Sequence, residues 1–481
     1  MFDILRFESD AKRVVKMSFL SNRWSTQGGY REVLVIAVPL ILSTGATSIQ
    51  HFVDRMFLSW YSAAAIAAAM PASILALAVM SLFIGTASYV GTFVAQYFGS
   101  ERYERIGPSI WQGLYLSAIG GIIMVCILPF SESIFRLIGH DVLVQRDETE
   151  YFQILCLSGG PSIAAAAFAS YFAGRGKPWP VMWVNCFATA VNIVLDYAFI
   201  FGKWGFPELG IRGAGIATLI ASIFAVLAYM FLISSASQDR KYHVLKGWRP
   251  DKELFMRLMR FGLPSGIQFC LDITSFTIFI LLVGRLGTVP LVATNIAFNI
   301  NFLAFMPMIG CGTAVSVLVG QYLGRNRPDM AEKSTYSGLH LTFIYMASIS
   351  LAYVLVPDLF LAPFTRMNDA ESYEQIHTMG VLLLRFVAVY SIFDTLNIIF
   401  SFAIKGAGDT RFVMFMMVIL SWAIMVIPTY IAVVILDYGL MACWVFITAY
   451  VSVLGISFYF RFIQGKWKDM RVIETDTAYS S

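Results

Sequence analysis

Charged side chains are scarce in this sequence. They occupy 13% of its 481 positions, about half of the ~25% usual in soluble globular chains. Hydrophobic residues take 58% and the mean hydropathy is +0.71, so the chain belongs in a bilayer and offers no nucleic-acid-binding surface. Raw material for metal or redox chemistry is thin as well. Six cysteines (Cys126, Cys156, Cys186, Cys270, Cys311 and Cys443) stand singly inside apolar segments, without paired zinc spacing or a disulfide framework, and read as packing residues. The five histidines are equally dispersed. Only His51 lies near an ionisable residue of interest, Asp54, and it reads as a helix-end residue. No cleavable leader is expected: Lys12, Arg13, Lys16 and Arg23 precede a full-length span, where a leader would have a short apolar core and a small-residue cleavage site.

Uncharged stretches are abundant. Val33 to Val53, Ile106 to Ser131, Gly213 to Gln238, Phe412 to Leu436 and Tyr438 to Phe460 are each long enough to cross hydrocarbon. Twelve helices are expected, at 33–59, 65–98, 106–129, 150–173, 179–202, 212–235, 257–284, 290–323, 333–356, 375–404, 412–436 and 439–463. With both termini in the cytoplasm of an inner-membrane protein, 26 of the 34 Lys and Arg residues fall inside, seven outside, and Arg385 within the tenth helix, snorkelling outward. The runs Met56 to Ser100 and Leu286 to Gly324 could each be cut in two. Cutting the first alone would turn Arg102, Arg105, Arg175, Lys177 and the basic stretch Arg240 to Arg260 outward, so two long protruding helices explain the charge better.

Shifting the chain by 225 residues aligns Pro39 with Pro264, Ile84-Gly85 with Ile309-Gly310, and Gly113-Leu114 with Gly338-Leu339. The densest match sets Val94-Ala95-Gln96-Tyr97-Phe98-Gly99 on Val319-Gly320-Gln321-Tyr322-Leu323-Gly324. A slightly larger shift sets Gly174-Arg175-Gly176 on Gly406-Ala407-Gly408. Such order across both halves marks a duplication. Six helices per repeat relate the halves by an axis along the membrane normal, a plan used by transporters with a cavity between lobes. The expected organisation is an all-α membrane protein: cytoplasmic segment 1–30, N-lobe 31–235, linker 236–256, C-lobe 257–464 and a cytoplasmic tail 465–481 whose end, Val472 to Ser481, is polar and flexible. The amphipathic stretch Leu5 to Leu20 either lies on the inner membrane surface or is disordered. Arg175-Gly176-Lys177 and Gly406-Ala407-Gly408-Asp409 lack full Walker spacing and read as tight turns.

Five charges sit well inside the expected spans: Asp54, Asp196, Asp272, Asp394 and Arg385. Each central carboxylate costs on the order of 3 kcal/mol unless it lines a wet cavity or is neutralised, and function is the natural reason to retain four. Residues three or four apart share a helix face. Asn192 pairs in this way with Asp196, Gln268 with Asp272, and Tyr390 and Asn397 with Asp394. Such a carboxyl group can hold a proton in one conformation and release it in another. Ionised, with Tyr, Asn or Thr oxygens, it suits a hard cation such as sodium. The acids are not repeat mates, since Asp54 shifts onto Phe279 and Asp272 onto Thr47. Two unlike sites follow: Asp54, Asn192 and Asp196 in the N-lobe, and Asp272, Tyr390 and Asp394 in the C-lobe, with Gln268 and Asn397 as polar cavity residues. Pro39 and Pro264 are the candidate hinges.

These residues resemble the multidrug and toxic compound extrusion (MATE) family over about 31–464. Phe52-Val53-Asp54-Arg55-Met56 resembles its first-helix acidic motif, Asn192 to Asp196 its fifth-helix motif, and Gly213 to Thr218 the opening of its sixth helix. The resemblance implies that Thr218 joins Asp54, Asn192 and Asp196 at a protonation or cation site. Phe261-Gly262-Leu263-Pro264 with Asp272, Tyr390 and Asp394 ahead of Lys405-Gly406, and the loop Gly202 to Gly210 are similar to the NorM branch, some of whose members are sodium-coupled. Departures are Asp272 where Glu is common, Asp196 where Asn can stand, Tyr197 for a proline, and Ala293-Thr294-Asn295 for a His/Gln-bearing start.

The resemblance implies a monomeric multidrug antiporter, without cofactor, that exports lipophilic, often cationic small molecules in exchange for H+ or Na+. A flippase for lipid-linked polyanions shares the wider fold but calls for cationic cavity residues. A membrane-embedded enzyme is the rival from another class, and the sequence holds no nucleophile elbow or paired metal-ligand motif to support it.

Overall fold

Apolar runs in a bilayer must satisfy their backbone groups internally, and a helix does so along its whole length. The structure, a computed structural model, describes residues 23–234, 241–364 and 370–474, and these contain no strand. Twelve of the helices among them are long and apolar enough to cross a membrane. They are α1 Tyr30–Tyr61, α2 Ala63–Gly99, α3 Tyr103–Ile138, α4 Val142–Gly174, α5 Trp179–Ile200, α6 Ile211–Ile233, α7 Lys252–Gly284, α8 Thr288–Gly324, α9 Pro328–Leu355, α10 Glu374–Ala407, α11 Thr410–Ile435 and α12 Leu440–Ile463. Expectations for Leu5 to Leu20, for the start of the linker and for the tail beyond Glu474 lie outside the described residues.

Both long runs remain single spans. α2 and α8 have 37 residues each, about 55 Å at 1.5 Å per residue, against ~30 Å of hydrocarbon. α2 breaks only locally at Tyr89, whose N–H still reaches the Thr86 carbonyl. Side-chain caps set several helix starts: Ser62 Oγ accepts from the Ala65 N–H at 3.0 Å, and Asp251 Oδ1 from the Leu254 N–H at 3.0 Å. α4 begins at Val142, two turns before the expected 150, because Asp141 caps it by accepting from the Leu143 N–H at 3.0 Å. Pro39 and Pro264 lie inside α1 and α7 at equivalent positions. In α11, π-helical turns at Ser421–Val426 and Ile431–Ile435 flank Pro428, which lacks an N–H for the regular ladder.

Helix packing repeats between the halves. α2 packs on α4 as α8 packs on α10, α1 on α5 as α7 on α11, and α4 on α6 as α10 on α12. Across the seam, α1 meets α8 and α2 meets α7, which is one contact seen twice about a pseudo-two-fold axis. At the end where α1 starts and α12 finishes, here termed the terminal end, α2 crosses α8. Gly99 and Gly324, repeat mates, make this crossing possible: a Cβ on Gly99 would overlap the Gln321 carbonyl oxygen, and one on Gly324 the Gln96 carbonyl oxygen. Gln96 Nε2 then donates across the seam to the Gly406 carbonyl at 3.1 Å, and its mate Gln321 Nε2 to the Gly174 carbonyl at 2.8 Å. The acceptors belong to the two suspected tight turns, which are turns: Gly176 has φ 71° and Gly408 φ 121°.

More bonds close this end. Tyr89 O–H donates to the Lys405 carbonyl at 2.7 Å, Tyr322 O–H to Glu32 Oε2 at 2.7 Å, and Ser337 O–H to the Gly28 carbonyl at 2.8 Å. Farther in, Ser48 O–H contacts the Met306 sulfur at 3.4 Å near the middle of α1 and α8.

The start of the tail departs from expectation. Val472 is fully buried and Trp467 nearly so, the latter stacked on Phe462 with ring centroids 4.8 Å apart. The stretch from Val472 is expected to be polar and flexible, but Val472 and Ile473 follow the buried Trp467 and their apolar surface finds a seat on the bundle.

Candidate functional site

The N-half site is assembled from α1, α4, α5 and α6. One helix turn separates Asn192 from Asp196 on α5, and both are fully buried; Asp54 of α1 is 7% exposed. With its amide nitrogen turned toward the acids, Asn192 donates to Asp54 Oδ1 at 2.9 Å and to Asp196 Oδ2 at 3.3 Å. That orientation leaves the amide oxygen 3.5 Å from the Thr218 hydroxyl of α6, which can donate to it. All four expected residues therefore meet. The Asp54 and Asp196 carboxyls also lie within hydrogen-bonding reach of each other, while Asp196 Oδ1 is buried without a partner. Two ionised carboxylates repel at that separation, so the arrangement requires a proton or a cation between them.

Two residues extend this site beyond the expected set. Tyr151 of α4 is buried near both acids, within reach of the charge of each. A buried tyrosine on a helix is ordinary in sequence, and only the fold brings it to Asp54. His51 lies in the interior of α1, ten residues before its end, exposed and near enough to Asp54 to feel its charge. The helix-end reading of His51 is thereby corrected, because α1 extends to Tyr61.

The C-half site is looser. Asn397 Nδ2 donates to Asp394 Oδ1 at 2.8 Å along one face of α10. Tyr390 O accepts from Asn301 Nδ2 of α8 at 3.1 Å, and Ser391 O–H lies 3.5 Å from Asn301 Oδ1. Gln268 is buried on α7 with Oε1 unpartnered, as is Asn397 Oδ1. Asp272 is exposed, yet it stands within electrostatic reach of Asp394, Tyr450 and Lys405. A mid-span carboxylate facing such interior groups is costly against lipid and would be stabilised by a wet hollow.

Lys405 is a charge near the acids that the expected spans left out. The structure carries α10 to Ala407, so Lys405 falls within it, its ammonium 4.5 Å from the Phe402 ring centre and facing Asp272. The expected helix end at 404 hid it. Arg385 is exposed on α10, as expected for a snorkelling side chain. Among the described residues no group of three or more His, Cys, Asp or Glu side chains forms a metal cluster. Any cation held at either acid site would therefore rely on Asn, Thr and Tyr oxygens beside one or two carboxylates.

Comparison with known proteins adds three findings. The MatE family matches residues 39–198 and again 264–431, with starts 225 residues apart, the same offset as the internal repeat. A probable multidrug resistance protein NorM of Brucella suis is 26% identical over 410 residues, covering 84% of this chain and 86% of that protein. A probable NorM of Thermotoga maritima is 24% identical over 450 residues, covering 92% and 94%. Among solved structures, an outward-facing multidrug resistance MATE family transporter superposes with a TM-score of 0.82 at 19% identity, over 92% of this chain and 97% of that one. A MOP superfamily transporter from Pyrococcus furiosus gives the same score, 0.82, at 19% identity and the same coverage of 92% and 97%. At this identity the likeness establishes the shared twelve-helix fold.

Proposed function

This chain belongs to the MatE family, and we propose that it is a multidrug efflux antiporter that exports lipophilic, often cationic compounds in exchange for H+ or Na+. The observation that carries this reading is the Asp54 and Asp196 pair bridged by Asn192, with one Asp196 oxygen left open. A proton or sodium ion entering there neutralises the pair and removes the repulsion. Coupling arises when the ion binds one conformation of the transporter better than the other.

In this reading the terminal end is cytoplasmic, consistent with its share of Lys and Arg. The latched terminal end and the exposed Asp272 fit a state open to the outside, ready to release substrate and take up the ion. Asp272 and Asp394 attract the cationic substrate to the C-half. Lys405 is the internal counter-charge of Asp272, and an arriving cation competes with it. Acids in the hollow disfavour a polyanionic lipid-linked substrate.

The test is transport of a cationic dye by the purified protein in proteoliposomes under an imposed proton or sodium gradient. Gradient-dependent dye movement is expected. In the same assay Asp272→Asn and Asp394→Asn should weaken dye transport about 5- to 150-fold, the range of a site-coupling energy. Dye movement independent of both gradients would overturn the antiport reading, and full activity in both C-half variants would remove the C-half acids from the substrate path.

A further inference from the structure

The segment that follows α12 is tied to both halves. It leaves the C-half through the buried Trp467 and the Lys468 to Glu332 ion pair at 2.5 Å. It then crosses the seam. The Val472 N–H donates to Gln96 Oε1 of α2 at 2.9 Å, and the Val472 side chain sits against Gly408. Arg257 at the start of α7 donates to the Val472 carbonyl at 3.3 Å. Glu474 ends on the N-half: its carboxylate accepts from Arg105 Nη2 at 2.6 Å and Tyr97 O–H at 2.8 Å, and pairs with Arg102 Nη2 at 3.4 Å. Arg102 Nη1 also donates to the Glu474 carbonyl at 3.0 Å.

Gln96 is the junction. Its nitrogen holds the C-half turn at Gly406 while its oxygen holds the segment's backbone, so both functions of one buried amide are used at the seam. The halves cannot part at this end while Val472 and Glu474 stay seated.

We propose that residues 466–474 form a strap that locks the terminal end shut, and that its release is a required step before the cavity can open to that side. This inference rests on the alternating-access reading above. A transporter held by its lobe contacts alone could open as soon as ion or substrate binding favoured it; the strap adds a second set of bonds that must break first.

The strap does not sense the proton gradient. Burial would raise the Glu474 carboxyl, but hydrogen bonds from Arg105, its own backbone and Tyr97, with the Arg105 charge, overcome this and lower it to about 2. A carboxyl depressed in the folded state contributes binding that is fully present above its ordinary value and lost only as pH falls through the lowered one. The neighbouring charges are Arg102, Arg105, Arg257 and Asp251, the last paired with Arg105 at 3.2 Å. Between pH 5 and pH 8 the Glu474 contacts therefore hold, and strap release answers to forces from the lobes.

The test places spin labels at Lys177→Cys and Arg325→Cys, exposed positions on opposite halves at the terminal end, with the six native cysteines replaced and the protein in lipid nanodiscs. Distance distributions are recorded with and without dye, at two pH values and with and without sodium. Glu474→Gln, Val472→Pro and truncation after Arg471 are each expected to raise the wide-separation population about fivefold or more under the same conditions. A parent protein that switches between narrow and wide separations, with all three variants matching it, would overturn the strap while leaving alternating access standing. A single narrow distance in the parent under every condition, with dye transport intact, would overturn alternating access itself.

Discussion

Asp54→Asn and Asp196→Asn should each cut gradient-driven transport about 5- to 150-fold while leaving a folded protein that still binds dye. Asn matches Asp in size, so packing at this buried site is preserved, whereas the negative charge and the proton-accepting oxygen are lost. In the parent, Asn192 spans the two acids, and Asp196 Oδ1 is left without a partner, so the two carboxylates supply the negative charge available to an ion there. Losing one removes the difference in ion affinity between conformations on which coupling depends, worth about 5- to 150-fold in the transport ratio. Measurement of gradient-driven efflux beside equilibrium dye binding separates the two effects. Wild-type efflux in both variants would transfer coupling to another site. Tyr151→Phe, which keeps the ring and removes the hydroxyl near the two acids, should give a milder loss than either acid variant.

A comparably large effect is expected at the opposite end of the mechanism. Gly99→Val and Gly324→Val insert side chains where the crossing of α2 and α8 leaves no room even for a Cβ, since each would collide with a backbone oxygen of the other helix. Backbone cannot step aside as a flexible side chain can. Overpacking costs about 1–3 kcal/mol, and here it is charged only to the conformation in which the two helices cross. The population should shift away from the closed terminal end by about 5- to 150-fold, following from tenfold per ~1.4 kcal/mol. Faster hydrogen exchange in peptides covering 86–106 and 316–330 is the expected signature, with the Gln96 and Gln321 bonds loosened together because the two positions are symmetry mates. Unchanged exchange in both variants would mean that the crossing tolerates a side chain and is no gate.

The two halves of the molecule treat their acids differently. In the N-half four helices converge on one dry carboxyl pair, while in the C-half Asp272 is exposed, Asp394 is bonded to Asn397, and Lys405 supplies an opposing charge. A dry pair suits a small ion that can be fully stripped of water, and a wet, partly compensated acid suits a larger organic cation. The duplicated scaffold thus carries two unlike arrangements of acids, as the failure of Asp54 and Asp272 to align as repeat mates already implied.

Much of this was legible before any coordinates. Hydropathy marked twelve spans because apolar residues in a bilayer have one common backbone solution, and helix periodicity joined Asn192 to Asp196 and Asn397 to Asp394, since residues three or four apart share a face whatever the tertiary fold. The repeat offset followed from residue identities alone. Contacts between helices were a different matter. Tyr151 beside Asp54, Asn301 beside Tyr390 and Lys405 facing Asp272 join residues far apart in the chain or lying near a misjudged helix end, and no local pattern distinguishes them from packing residues. The end of the strap was hidden for the same reason: the stretch opening at Val472 looks polar and flexible until the bundle supplies a seat for Val472 and Ile473. Membrane residence, span number, duplication and the four interior acids were therefore set by the sequence itself, through the cost of placing charge and unbonded backbone in hydrocarbon. Which acids meet, which end is closed and what holds it shut were decided only by tertiary packing, because those outcomes depend on distances between helices that periodicity along one helix does not encode.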